Sequence, residues 1–170
     1  MVAVSSGERC PGCGIVLPAL PGTPHRYMTA SAACWAGYGE LLAVQYAEPS
    51  RMGYHQLIVD AYAVQHPGGV LPQQVQSVGI HLMTLALFLE DGTDPVMGTS
   101  LHRAMVARPV FHYLPPPVSC GELTYADVPL SGPADAARSA AYAWAGSVWS
   151  AWGEHHSTVH SWLKESGLRE

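Results

Sequence analysis

The turn Cys10-Pro11-Gly12-Cys13-Gly14 constrains this chain more than any other stretch. A C-P-x-C-G turn aims two thiolates at one point, and its glycines let both sulfurs approach one ion at tetrahedral angles. The spacing therefore predicts a zinc knuckle. The residues that follow need such a tie, because residues 10–30 carry Pro11, Pro18, Pro21 and Pro24 and are too broken for a helix. A closed structural site needs two further ligands. Local spacing selects Cys10, Cys13, His25 and Cys34, as Cys-x2-Cys-x11-His-x8-Cys, with Cys120 or His66 as alternatives to His25.

Four cysteines would suit two disulfides in a secreted chain, but in a reducing compartment the same count reads as metal ligands. The amino terminus lacks the basic stretch and apolar run of a secretory signal, so a cytoplasmic protein is expected. The apolar stretch from Ile80 to Leu89 is about half the roughly 20 residues that a bilayer span needs, and His81 interrupts it, so no membrane partner is expected. Only 12% of residues are charged and the formal net charge is −5, which leaves no basic field for a nucleic-acid partner. With 170 residues and 48% apolar content, the chain is expected to fold as a single domain, 1–170, with a substantial core.

Helical periodicity sets the fold class as all-α, a bundle of four to five helices behind the amino-terminal knuckle loop. Ser31 is placed to cap a helix over 32–47, with Cys34 in its first turn. A second helix over 51–66 is apolar on nearly every side and stops at Pro67-Gly68-Gly69. A third spans 73–90, with Val78, His81, Leu85 and Phe88 on one stripe, and a short fourth follows Asp94-Pro95. Residues 107–132 have no helical period and five prolines, a long loop of the kind that covers a pocket. The last helix, over 134–165, places Trp144, Val148, His155, Val159 and Trp162 on one stripe and is expected at the centre of the bundle.

Nine histidines in so uncharged a chain form the second signal. His81 and His155 fall on core-facing stripes, His156 and His160 are four apart on one helix face, and buried imidazoles need partners. The expectation is an internal site that gathers His55, His81, His155 and His156 around a second divalent metal. Asp60 is the lone carboxylate of an apolar run and must be paired, protonated or metal-bound. Asp60 and His66 are the candidates for moving a proton or orienting a ligand beside such a metal. His55 and His66 cannot share an ion, since one continuous helix separates them by roughly 16 Å. His102, His112 and Cys120 lie outside these patterns. The tryptophans are expected in the core.

Several strings taken together resemble a family of uncharacterised bacterial proteins: C-P-G-C-G at Cys10–Gly14, A-C-W at Ala33–Trp35, V-D-A-Y-A-V-Q-H-P-G at Val59–Gly68, Q-S-V-x-x-H-L at Gln76–Leu82, and V-W-x-A-W-x-x-H-H at Val148–His156. The resemblance implies no activity; it directs attention to Cys10, Cys13, Cys34, Asp60, His66, His81, His155 and His156. The histidine-bearing helices also resemble DinB-type bundles, in which three histidines from different helices hold a divalent metal with open positions. The expected function is a small metal-dependent hydrolase or transferase acting on a small-molecule substrate. Its alternatives are a non-catalytic zinc-stabilised binding module and a metal sensor or carrier. No dinucleotide-binding glycine pattern supports redox chemistry.

Overall fold

A computed structural model describes residues 7–170. The described residues open with a two-stranded antiparallel hairpin, β1 (Gly7–Arg9) and β2 (Val16–Pro18), with Arg9 paired to Val16 across the cysteine turn. Six α-helices follow: α1 (Ala32–Ala47), α2 (His55–Gln65), α3 (Pro72–Leu89), α4 (Gly98–Met105), α5 (Ala134–Ala151) and α6 (His156–Glu165). The all-α expectation holds in its main lines, with more helices than expected and a small hairpin added.

Two differences have local causes. The helix predicted over 134–165 is broken into α5 and α6 by a 3-10 turn at Gly153–His155. Gly153 lowers helix stability there, and the break turns α6 back onto α3. His155 therefore sits on the turn and leaves the stripe of Trp144 and Val148. The helix predicted to start at 51 starts at His55, behind a 3-10 turn over Pro49–Tyr54 that Pro49 opens.

The central helix is α2, not the carboxy-terminal one. Its residues Leu57, Ile58, Ala61, Tyr62, Ala63 and Val64 are buried, and it packs on both α3 and α5. This explains why its apolar residues point in every direction: a helix with neighbours on all sides has no solvent face to keep polar. Its buried polar end is fully used. Gln65 Oε1 accepts from Trp144 Nε1 at 2.9 Å, while Gln65 Nε2 donates to the carbonyls of Cys120 and Leu123 at 3.2 and 2.7 Å. Trp152 Nε1 donates to the Val64 carbonyl at 3.0 Å.

Those bonds also decide the nature of the proline-rich stretch over 107–132. Leu114, Cys120, Tyr125 and Val128 are buried within it. Ser147 Oγ on α5 accepts from the Glu122 and Leu123 amides at 2.8 and 3.3 Å. Its second half is thus a strap bonded to α2 and α5 rather than a cover over a pocket. The buried Arg51 holds its far end, donating from Nη1 to the Pro129 carbonyl and from Nη2 to the Gly132 carbonyl at 3.1 and 2.7 Å. Among the described residues, no helix is long and apolar enough to cross a membrane.

Candidate metal centre

Cys10 and Cys13 lie on the turn between the two short strands. The Cys10 amide donates to the Ile15 carbonyl at 2.8 Å and the Gly14 amide to the Cys10 carbonyl at 3.0 Å, which closes the loop. Gly14 has φ +77°, a left-handed conformation that glycine adopts without strain. Gly12 is required for a different reason. A Cβ there would press into the His66 ring and the carbonyls of Thr29 and Gln65, so only a bare backbone lets the turn approach α2.

Cys34 arrives from α1. Ser31 caps that helix as expected, its Oγ accepting from the Cys34 amide at 3.2 Å, and this places Cys34 in the first turn. The positive end of the helix dipole lies there, which favours a thiolate. The Ser31 amide donates to Cys10 Sγ at 3.5 Å, so one short segment serves two of the sulfurs.

The fourth group is His66, at the carboxy-terminal end of α2. Its Nδ1 donates to the Tyr62 carbonyl at 2.8 Å, one turn back. That bond commits the proton to Nδ1, leaves the Nε2 lone pair free and turns it toward the sulfurs. Nε2 lies 3.4 Å from Cys34 Sγ. The loop before α1 is bound to the same end of α2, with the Thr29 amide donating to the His66 carbonyl at 3.0 Å and a bridge between Met28 and Pro67.

Cys10, Cys13 and Cys34 Sγ and a His66 ring nitrogen all lie within 4.8 Å of one another, so these four residues can hold a metal ion. The fit is close. Sulfurs bonded at about 2.3 Å to a tetrahedral ion stand roughly 3.8 Å apart, and a sulfur and an imidazole nitrogen roughly 3.5 Å. The Cys13–Cys34 and Cys34–His66 separations are 3.7 and 3.4 Å. Cys10, Cys34 and His66 are 1%, 0% and 0% exposed.

Tyr62 completes the surroundings. Its hydroxyl lies 3.4 Å from Cys34 Sγ, and its ring is stacked between Tyr38 and His66 at 3.8 and 3.9 Å. All four cysteines are free thiols. Protons cannot be shared evenly among three sulfurs so close together. Hydrogen bonds from Cys13 and Cys34 push the Cys10 thiol far below its ordinary value, while Cys13, bonded to Cys10, is pushed up to about 11. Cys34 is raised too, chiefly by its bond to Cys10. A cation at the centre would replace those protons as the shared positive charge.

His25 is therefore not in the set. It is exposed, its Nδ1 accepts from the Tyr27 amide at 3.3 Å, and its ring lies against Tyr27 and Trp35. Of the alternatives, His66 joins the three cysteines. Cys120 lies apart, and burial pushes its thiol up to about 11.

The expected gathering of His55, His81, His155 and His156 is not found. His55 Nδ1 donates to Gln45 Oε1 at 2.8 Å. His155 Nε2 donates to the Pro115 carbonyl at 2.8 Å, and His156 Nε2 to the Trp149 carbonyl at 2.9 Å, with its ring stacked on Trp149. The break between α5 and α6 is what separates these last two from the core.

His81 instead meets Asp60, as does His102, which no pattern had singled out. His81 Nδ1 and His102 Nε2 lie 2.6 and 3.0 Å from Asp60 Oδ1, and Gln56 Nε2 donates to the same oxygen at 2.9 Å. Burial raises the Asp60 carboxyl, but the hydrogen bonds from His102 and His81 outweigh it and hold the group below the ordinary carboxylate value. The available signal for His102 was Asp60 itself, a carboxylate in an apolar helix that had to have partners. Asp60 and His66 lie six positions apart on α2, roughly 9 Å along its axis, and belong to different clusters.

Fold and site together define a helical bundle whose amino-terminal hairpin meets it at a Cys3His cluster able to hold a metal ion. Residues 8–153 match the model of a family of unknown function, DUF5946, and the chain belongs to that family. The matched span contains both residue clusters. A search of the curated proteins gave no match, and neither did a search of the solved structures.

Proposed function

We propose that the chain is a zinc-stabilised domain in which Cys10, Cys13, Cys34 and His66 hold one Zn²⁺ in a closed tetrahedral site. The observation that carries this reading is the commitment of His66 Nδ1 to the Tyr62 carbonyl, which leaves a free nitrogen beside three sulfurs at distances that suit zinc. Three sulfurs and one imidazole form a donor set that selects zinc over the oxygen-seeking cations.

The role of that ion is structural. Four protein ligands leave no position for water or substrate, so hydrolase or transferase chemistry has no open metal position at this centre. The ion joins three pieces of chain far apart in sequence: the hairpin turn, the start of α1 and the end of α2. Closing those long loops in the folded state is where the stabilisation arises. Free, crowded thiols also suit a reducing compartment, which supports a cytoplasmic protein.

Elemental analysis of protein purified without a histidine tag tests the reading. One zinc per chain is expected. His66→Ala and Cys13→Ala should lose it, and His25→Ala should keep it. Zinc-free, fully folded wild-type protein, or zinc retained by His66→Ala, would defeat the assignment.

A further inference from the structure

We propose that Asp60, His81 and His102 form a second metal centre, taking a divalent first-row transition cation on three protein ligands with its remaining positions open to water. The three residues come from α2, α3 and α4, and their ligand atoms lie within 4.8 Å of one another. Two imidazoles and one carboxylate with open positions form the donor set that divalent iron and its neighbours accept.

Hydrogen bonding alone leaves this cluster unbalanced. Three nitrogens, His81 Nδ1, His102 Nε2 and Gln56 Nε2, converge on Asp60 Oδ1. Gln56 Nε2 also lies 3.5 Å from His102 Nε2, so that imidazole nitrogen faces a donor and an acceptor at once. Meanwhile Asp60 Oδ2 is buried and has no partner at all. A carboxylate offers lone pairs on both oxygens, and a wholly buried one is normally satisfied on both. One oxygen here is oversupplied and the other is bare.

A cation relieves the crowding at Oδ1. It takes the lone pairs of His81 Nδ1 and His102 Nε2 in place of forcing both to donate, and it draws on a carboxylate that has an oxygen to spare. The spacing suits it: donors on one face of an octahedral ion at about 2.1 Å stand roughly 3 Å apart. Gln56 then serves as the outer partner that ligating carboxylates usually have.

The centre also has access. Asp60 is 0% exposed, but the His81 and His102 side chains are 14% and 23% exposed, so the side of the cluster that they line reaches solvent. Gln56 forms part of the wall of a neighbouring cleft of about 320 Å³, lined also by Met52, His55, Val96 and Thr99. One carboxylate leaves a divalent ion with a net positive charge, and its open positions would hold water or a small anionic ligand. The closed cysteine centre lacks this capacity.

The test uses protein carrying one Zn²⁺ per chain, titrated with Co²⁺ and followed by equilibrium dialysis and absorption. One further Co²⁺ should bind, with weak ligand-field bands and no thiolate-to-cobalt charge transfer. His81→Gln and His102→Gln should each weaken it about tenfold or more and keep the zinc. His160→Gln should leave both ions in place. Failure to bind a second Co²⁺, charge-transfer bands that put the cobalt on the cysteines, or unchanged affinity in both variants would overturn the proposal. Should those variants unfold, wild-type protein decides: Co²⁺ should shift the ring-proton resonances of two histidines, and unshifted spectra would overturn it. The zinc content before titration judges the cysteine centre separately.

Discussion

His66 donates a hydrogen bond from Nδ1 to the carbonyl of Tyr62 at 2.8 Å, and the Tyr62 hydroxyl lies 3.4 Å from the sulfur of Cys34. One residue thereby serves two members of the cluster, fixing the tautomer of the imidazole through its backbone and facing the Cys34 sulfur with its side chain. Tyr62→Phe keeps the first contact and the ring stack and removes the second. Zinc affinity should fall by about tenfold, the lower end of what outer partners contribute, with helix content unchanged. Competition with a chromophoric chelator measures it, and equal affinities would show that the hydroxyl is a bystander.

Gly12→Ala places a methyl group against the His66 ring and two carbonyls. Backbone cannot yield there as a flexible side chain would, so a loss of about 1–3 kcal/mol is expected, typical of overpacking. Zinc affinity should fall with it. Urea unfolding of the zinc-loaded variant checks the first, and a variant as stable as wild type would contradict the close approach.

Thiol counting separates the cysteines. In native protein all four should react slowly with a disulfide reagent. A strong chelator should release three, Cys10, Cys13 and Cys34. Cys120 is 5% exposed and its thiol is pushed up to about 11 by burial, so almost none is thiolate at neutral pH. It should stay silent until the chain unfolds. Four fast thiols after chelation would refute the distinction.

Glu90 gives a pH signature at the carboxy terminus. It accepts from Trp149 Nε1 at 3.2 Å and from His160 Nε2 and Arg169 Nη2 at 2.9 and 3.0 Å. Burial raises its carboxyl, but the bond from Arg169 and the charges of His160 and Arg169 prevail and lower it. The folded value thus lies below the unfolded value of about 4.3. The contribution is therefore complete above about pH 4.3 and is lost as pH falls through the folded value. The stability gap between wild type and Glu90→Gln should close with acid. Urea midpoints from about pH 6 to 3 measure it, and a constant gap would exclude the linkage.

Much of the bundle was legible along the chain because its signals are local. The Ser31 cap, the stop at Pro67-Gly68 and the period of α3 each depend on residues within a turn or two. The break at Gly153 was not legible, since a glycine inside a helical pattern is tolerated or not according to what the two halves can pack against. The central place of α2 is foreshadowed by apolar residues on every side, but the last helical pattern is longer and its stripe is the stronger local signal.

For the candidate site, the chain by itself determined that Cys10 and Cys13 face one point and that Cys34 stands at a helix start, because a four-residue turn and a helix cap leave the backbone few choices. It also determined that Asp60 must find partners, since a carboxylate cannot be buried alone. Only the tertiary structure decided that His66 and not His25 completes the cysteine cluster, and that His102 and not His155 meets Asp60. His66 lies 32 residues from Cys34 and His102 lies 42 from Asp60. Convergence over such distances is set by how helices pack, a sum over many apolar contacts that no short pattern encodes.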